Sequence, residues 1–191
     1  MGARGLLLAA GAGRRMGGPK ALRTDPDGTS WLVRSVRTLL DGGCGAVTVV
    51  LGAGAEDATA LLVGLDVDTV VAADWAEGMG ASLRAGLRVL GEEPVAVVSL
   101  VDLPDVGPAV VRRVLSAGDD PGVLARAAYD GRPGHPVLLG REHWPAIVAQ
   151  AGGDRGARDY LAEHPVTVVE CGDLATGRDQ DRPTDGQHVA D

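Results

Sequence analysis

The chain has 191 residues, with 18 Lys or Arg against 26 Asp or Glu, for a formal net charge of −8. That length suits one α/β domain with a sizeable core, and the acidity excludes a general nucleic-acid binder, which needs a basic face to displace counterions. A hydrophobic content of 45% argues against disorder, and 3% aromatics with no Phe argues against stacking platforms for single strands.

Short apolar runs recur along the chain, at 5–10, 46–52, 68–73, 95–101, 123–128, 135–139 and 166–171. Most are rich in Val and nearly continuous, which suits strands buried on both faces of a mainly parallel sheet. Segments of helical period separate them. Thr29 or Ser30 can cap a helix carrying Leu32, Val36 and Leu39, with Gly42 at its end. Residues 78–90 place Leu83, Leu87 and Leu90 on one stripe. Asp105 is the expected cap of a helix holding Val110, Val111, Val114 and Leu115, stopped at Gly118. Residues 141–151 and 155–163 read as two more helices. Strands alternating with helices predict βαβ units and an α/β sandwich. The stretch 123–139 turns at Tyr129-Asp130-Gly131 and predicts a small antiparallel excursion. A single domain over residues 1–191 is expected, with a frayed tail at 186–191.

Cys44 and Cys171 are far apart and form no CxxC, so neither a metal signature nor a disulfide framework is expected. The run Leu6 to Ala10 is too short for a signal-peptide core, and no stretch is long enough to span a bilayer. A reduced, cytoplasmic setting is the resulting expectation, with no membrane partner.

The charge is unevenly placed. Residues 1–23 hold Arg4, Arg14, Arg15, Lys20 and Arg23 and no acid, and Lys20 is the one Lys beside seventeen Arg. The first strand runs directly into Leu8-Ala9-Ala10-Gly11-Ala12-Gly13-Arg14-Arg15-Met16-Gly17-Gly18-Pro19-Lys20. Open α/β sheets bind ligands beyond such strand ends, where glycines let backbone N–H groups approach phosphate oxygens and cations reinforce them. Two common phosphate motifs fail. GxGxxG needs Gly where Met16 stands, and GxxxxGK[ST] needs Gly before and Ser or Thr after Lys20, which lies between Pro19 and Ala21.

The string as a whole resembles the signature LAAGxxRRMGxxK of nucleotidyltransferases, and more narrowly that of molybdenum cofactor cytidylyltransferases and guanylyltransferases. Further elements follow in order. Trp75-Ala76-Glu77-Gly78-Met79-Gly80-Ala81-Ser82-Leu83-Arg84-Ala85-Gly86-Leu87 is similar to W-x-x-G-x-x-x-S-L-x-x-G-L of the cytidylyl branch. Asp102-Leu103-Pro104-Asp105-Val106, Gly134-His135-Pro136-Val137-Leu138, Gly153-Asp154-Arg155-Gly156-Ala157-Arg158 and Asp179-Gln180-Asp181-Arg182-Pro183-Thr184-Asp185 resemble the remaining motifs.

The resemblance implies a Rossmann-like three-layer α/β/α sandwich and a magnesium-dependent enzyme. It would transfer CMP from CTP to the terminal phosphate of molybdopterin and release pyrophosphate. It implies catalytic roles for Lys20, Arg15 and Asp102, and Mg²⁺ held by Asp102 and Asp181, with Asp179 the other candidate. Leu8, Ala9, Ala10, Gly11, Gly13, Arg14, Arg15 and Lys20 would bind nucleotide. Ser82 either meets the base or ribose or caps a helix start. His135, Asp154 and Arg158 are the expected acceptor contacts, with Arg155 nearby. Ala10 matches the CTP branch, where the GTP branch has Gly. A molybdenum hydroxylase is the expected transient partner. The sequence departs from the family pattern at Gly13, where Ser is frequent, at Leu103, where Gln or Met is usual, and at Arg182 and Thr184. The alternatives are GTP or another phosphorylated acceptor on the same fold, an oxidoreductase reusing it, or a cofactor carrier.

Overall fold

The computed structural model describes residues 2–180, so Asp181 and the tail at 186–191 lie outside the described residues. Seven strands are found among them: β1 (Arg4–Leu8), β2 (Ala46–Leu51), β3 (Val67–Val71), β4 (Val95–Leu100), β5 (Leu124–Tyr129), β6 (Arg132–Gly140) and β7 (Thr167–Glu170). They form one sheet in the order β3-β2-β1-β4-β6-β5-β7. β6 runs antiparallel to both of its neighbours, and every other pair is parallel. The six helices are α1 (Trp31–Asp41), α2 (Ala55–Leu61), α3 (Met79–Val89), α4 (Pro108–Leu115), α5 (Trp144–Gln150) and α6 (Arg158–Ala162).

The apolar strand runs are continuous because each face has its own core. Side chains alternate across a strand, so Leu7, Val49 and Val97 join Val36, Leu39, Val110 and Val114 of α1 and α4. Leu6, Leu8, Val50 and Val98 face the other way, toward Leu83, Leu87, Ile147 and Leu161 of α3, α5 and α6. This is the three-layer α/β/α sandwich. Among the described residues no helix is long and apolar enough to cross a membrane.

The helix ends explain where the boundaries fall. Ser30 caps α1 by accepting a hydrogen bond from the Val33 N–H. Asp105 does not cap α4. That helix starts at Gly107-Pro108, with Pro in its favoured first-turn position, and Asp105 instead accepts from the backbone N–H and hydroxyl of Thr176 at 2.6 Å each. The β5–β6 turn is closed by Asp130 and Gly131 with φ of 51° and 74°. Both values are positive, as the two-residue turn that matches hairpin twist requires. α2 and the 3₁₀ turns were not foreseen from periodicity.

Leu39 is fully buried between α1 and β1. Leu39→Ala is expected to lower unfolding free energy by about 3 kcal/mol, read from a denaturant midpoint at unchanged slope.

Candidate active site

β1 and β4 lie side by side, with Leu8 opposite Leu100, and the chain leaves both at the same end of the sheet. From β1 the sheet continues one way to β2, and from β4 the other way to β6. Such a switch point opens a crevice beyond the strand tips. Here the crevice has a volume of about 400 Å³. Residues 10–14 and Lys20 form one wall, Trp75, Met79 and Ser82 face them, Asp102 lies between, and Asp154 closes one end.

The loop after β1 is built by close backbone contacts. Gly13 has φ 56°, and the N–H groups of Met16 and Gly18 both donate to its carbonyl. A Cβ at Gly13 would sit 2.1 Å from the Gly18 carbonyl oxygen. The departure from Ser at this position therefore does more than remove a hydroxyl, because the turn as built admits no side chain. Met16 is buried and pins the loop, which leaves Arg14 and Arg15 exposed. Arg14 borders the main crevice, while Arg15 borders an adjoining depression of about 190 Å³ on the same loop.

Lys20 then reaches back across the crevice. Its Nζ donates to Asp102 Oδ2 at 2.5 Å, and the side chains of Lys20 and Asp102 are only 17% and 11% exposed. The other carboxylate oxygen, Asp102 Oδ1, is buried with no hydrogen-bond partner. A buried polar atom without a partner is costly, and a bound ligand or ion relieves it. The backbone N–H of Gln180 donates to the Asp102 carbonyl at 2.9 Å. That contact brings the 179–180 segment, with Asp179, beside Asp102. The described residues contain no cluster of three or more metal-ligating side chains.

Leu8, Ala10, Gly11, Gly13, Arg14, Lys20, Ser82, Asp102 and Asp154 thus all line one crevice. Ala9 does not. Its side chain is 2% exposed in the core, and its N–H donates to the Val50 carbonyl. Gly78, not Ser82, holds the N-cap position of α3, so Ser82 is buried one turn further on and faces the crevice. Leu103 is buried in the core and faces no cavity described here. Trp75, the first residue of its motif, also lines the crevice. Its ring packs so tightly over Gly52 that a Cβ there would lie 2.6 Å from Trp75 Cγ.

His135 and Arg158 lie in a second, smaller cavity of about 90 Å³ that shares Leu8, Met79 and Asp154 with the first. Arg126 of β5 lines it too and was missed. In a chain with seventeen Arg, nothing in the sequence set this one apart. Arg155 lies on the rim of the same cavity and is held in an exposed ion pair with Asp159 at 3.2 Å. Burial pushes the His135 pKa down to about 4, and Arg126 and Arg158 push the same way. Burial, then Arg158, also lowers the Arg126 pKa.

The profile of the MobA-like NTP transferase domain matches residues 5–168. Nicotine blue oxidoreductase of Paenarthrobacter nicotinovorans is 38% identical over 187 residues, covering 93% of this chain and 91% of that protein. Among solved structures, the manganese complex of Rv0371c from Mycobacterium tuberculosis H37Rv is 28% identical, covers 90% of this chain and 89% of that one, and gives a TM-score of 0.73. A nucleotidyl transferase from Methanothermobacter, 24% identical, covers 88% and 87% with a TM-score of 0.76 and shares the fold.

Two outcomes follow from this geometry. Gly13→Ala places about 1–3 kcal/mol of strain in the loop alone. It is expected to weaken binding of a nucleoside triphosphate by calorimetry while thermal unfolding of the body of the domain stays cooperative. His135 stays neutral in the folded chain down to about pH 4, whereas unfolded His takes its proton near 6.5. The unfolded state therefore binds more protons between these values, and stability falls as pH drops from about 6.5 to 4, by on the order of 3 kcal/mol. His135→Gln should remove that part of the acid limb in urea titrations across the same pH range.

Proposed function

The chain belongs to the MobA-like NTP transferase domain family, and from that premise we propose that it is a divalent-cation-dependent cytidylyltransferase acting on molybdopterin. The observation that carries this reading is the contact of Lys20 with Asp102 at the β1–β4 switch point, with Asp102 Oδ1 buried and unpartnered beside it. Nucleotidyl transfer sets that requirement. An acceptor phosphate oxygen attacks the α-phosphorus, a new P–O bond forms, the α–β bridging bond breaks, and pyrophosphate leaves. The attacking phosphate is already ionised near neutral pH, so no Ser-His-Asp or Cys-His base is needed. What is needed is alignment of two polyanions and neutralisation of the charge that moves onto the leaving group.

In this reading the 10–14 backbone and Arg14 cradle the triphosphate, Arg15 meets it from the loop's outer side, and Lys20 sits against the bridging phosphates. A compact ammonium suits that position better than a planar guanidinium. Asp102, with a carboxylate of the 179–181 segment, would hold a cation such as Mg²⁺. Few carboxylates plus phosphate oxygens suffice for such an ion, and the orphaned Asp102 oxygen fits the role. When bound, the cation screens Asp102 from the phosphates and draws charge from them. Trp75 and Ser82 offer the base an apolar face and a hydroxyl, and the Ala10 methyl narrows the crevice in favour of a pyrimidine. Asp154, His135 and Arg158 supply the acceptor side.

A second reading is an oxidoreductase, and the close relative named for that activity favours it. A nicotinamide or flavin nucleotide also carries phosphates that such a loop can hold. It leaves the contact of Lys20 with Asp102 Oδ2, and the unpartnered Oδ1 beside it, without a purpose.

Thermal unfolding with each nucleotide separates the two. CTP with Mg²⁺ is expected to protect by about 2.7 kcal/mol at about a hundred-fold excess over Kd, roughly 5–10 °C in Tm, and to exceed GTP, ATP, NADH and FMN. Protection by NADH or FMN but not by CTP transfers the assignment to the oxidoreductase. Lys20→Ala and Asp102→Asn should keep a cooperative melt and lose pyrophosphate release from CTP on addition of molybdopterin. Full release by either variant overturns the mechanism.

A further inference from the structure

Arg126 is misplaced by ordinary strand logic. β5 is flanked on both sides, by β6 and β7, and its residues Leu124, Arg126 and Ala128 point to one face of the sheet. That face is the layer of α3, α5 and α6, where an apolar residue is the rule. The register with β6 shifts between Arg126 and Ala128, and irregularities of this kind re-aim side chains beside functional sites.

The guanidinium is poorly satisfied there. Arg126 Nε is buried with no partner, and one terminal nitrogen reaches only the Gly134 carbonyl at 3.5 Å. Among the described residues neither Arg126 nor Arg158 forms an ion pair with a carboxylate. Both line the 90 Å³ cavity together with His135, and Val137 and Leu139 give it an apolar wall. Asp154 stands where this cavity meets the main crevice, and Arg155 on the rim is paired with Asp159. Two guanidinium groups facing one cavity repel each other, and although Asp154 lines the same cavity, neither is paired with its carboxylate. An oxyanion supplies both the missing charge and the missing acceptors, and a guanidinium fork is the group best shaped to receive it.

We infer that this cavity is a second oxyanion subsite, centred on Arg126 and Arg158, that holds a non-reacting anionic group of the acceptor. The inference rests on the transferase reading for its word acceptor, not for the subsite itself. The cavity, about 90 Å³, suits a compact oxyanion such as a carboxylate or the ionised oxygen edge of a flat heterocycle. The acceptor class is therefore an organic molecule with its reacting phosphate at one end and a second ionised oxygen, on a flat apolar body, at the other.

The test uses the full chain, with 6-carboxypterin as a fluorescent flat carboxylate and inorganic phosphate as a competitor. The carboxypterin is expected to bind wild type, measured by anisotropy, and to be weakened about tenfold or more by Arg126→Gln and by Arg158→Gln, with partial recovery in Arg126→Lys. Because Arg126 has no ion pair among the described residues and its Nε is unpartnered, Arg126→Gln should melt no lower than wild type, and CTP with Mg²⁺ should protect it as well as wild type. Equal carboxypterin affinity in the Gln variants, no binding to wild type, or a lowered Tm with unchanged binding overturns the subsite. Arg126-dependent binding of phosphate without carboxypterin overturns its assignment to the acceptor. Loss of CTP protection in wild type with carboxypterin binding intact removes the transferase reading and leaves the subsite standing.

Discussion

The contact between Lys20 and Asp102 is the constraint around which the site is arranged. It joins the loop after β1 to the tip of β4, two segments eighty-two positions apart in sequence. It exists only because β1 and β4 pair in parallel and end at the same level. A buried ion pair of this kind contributes little net stability, since desolvation offsets most of the attraction. Its value is positional. The two Val- and Leu-rich cores hold the strands, the strands set the tips, and the tips hold a cation and an anion at a fixed separation.

That arrangement orders the electrostatics. The basic head of the chain becomes the near wall of the crevice, and the carboxylate of Asp102 lies directly beneath it. A polyanion approaching the loop meets Arg14 and Lys20 favourably and Asp102 unfavourably. Lys20 screens one oxygen of Asp102, and the other remains buried and unmatched. Further along, the polarity reverses. Among the described residues Arg126 and Arg158 form no ion pair with a carboxylate, in a cavity that shares walls with the first. The molecule thus presents two complementary deficits, one of positive and one of negative charge, along a single groove.

The nucleotide side of this groove was legible in the sequence because its features are local. A buried strand, a Gly/Arg turn and the single Lys fall within sixteen residues. Asp102 was legible because it ends an apolar run. The sheet's antiparallel excursion was marked by Asp130-Gly131, whose positive φ values follow from residue type. Other features left no such trace. In α2 only Ala58 is buried, so no apolar stripe announces the helix. Asp105 looked like a cap because capping is the common use of Asp there, but a backbone seventy-one residues away recruits it. Ala9 and Leu103 sit inside motifs yet turn into the core, since motif membership does not say which way a side chain points. Arg126 was invisible for a different reason. Its importance lies in what it lacks, and a missing partner can be seen only in three dimensions.

This division bears on how one family hosts different chemistries. The phosphate-handling loop recognises what nucleoside triphosphates, nicotinamide nucleotides and flavin nucleotides have in common, so on its own it does not select a reaction. Selection falls to atoms with no use outside one chemistry. In the proposed transfer that atom, on the nucleotide side, is Asp102 Oδ1, which repels a phosphate and is satisfied by a cation. On the inferred acceptor side it is the Arg126 guanidinium, which a neutral ring leaves unpaired and an oxyanion satisfies. In the proposed transfer these two orphaned groups, rather than the glycine-rich loop that first draws notice, are therefore where the reaction is decided.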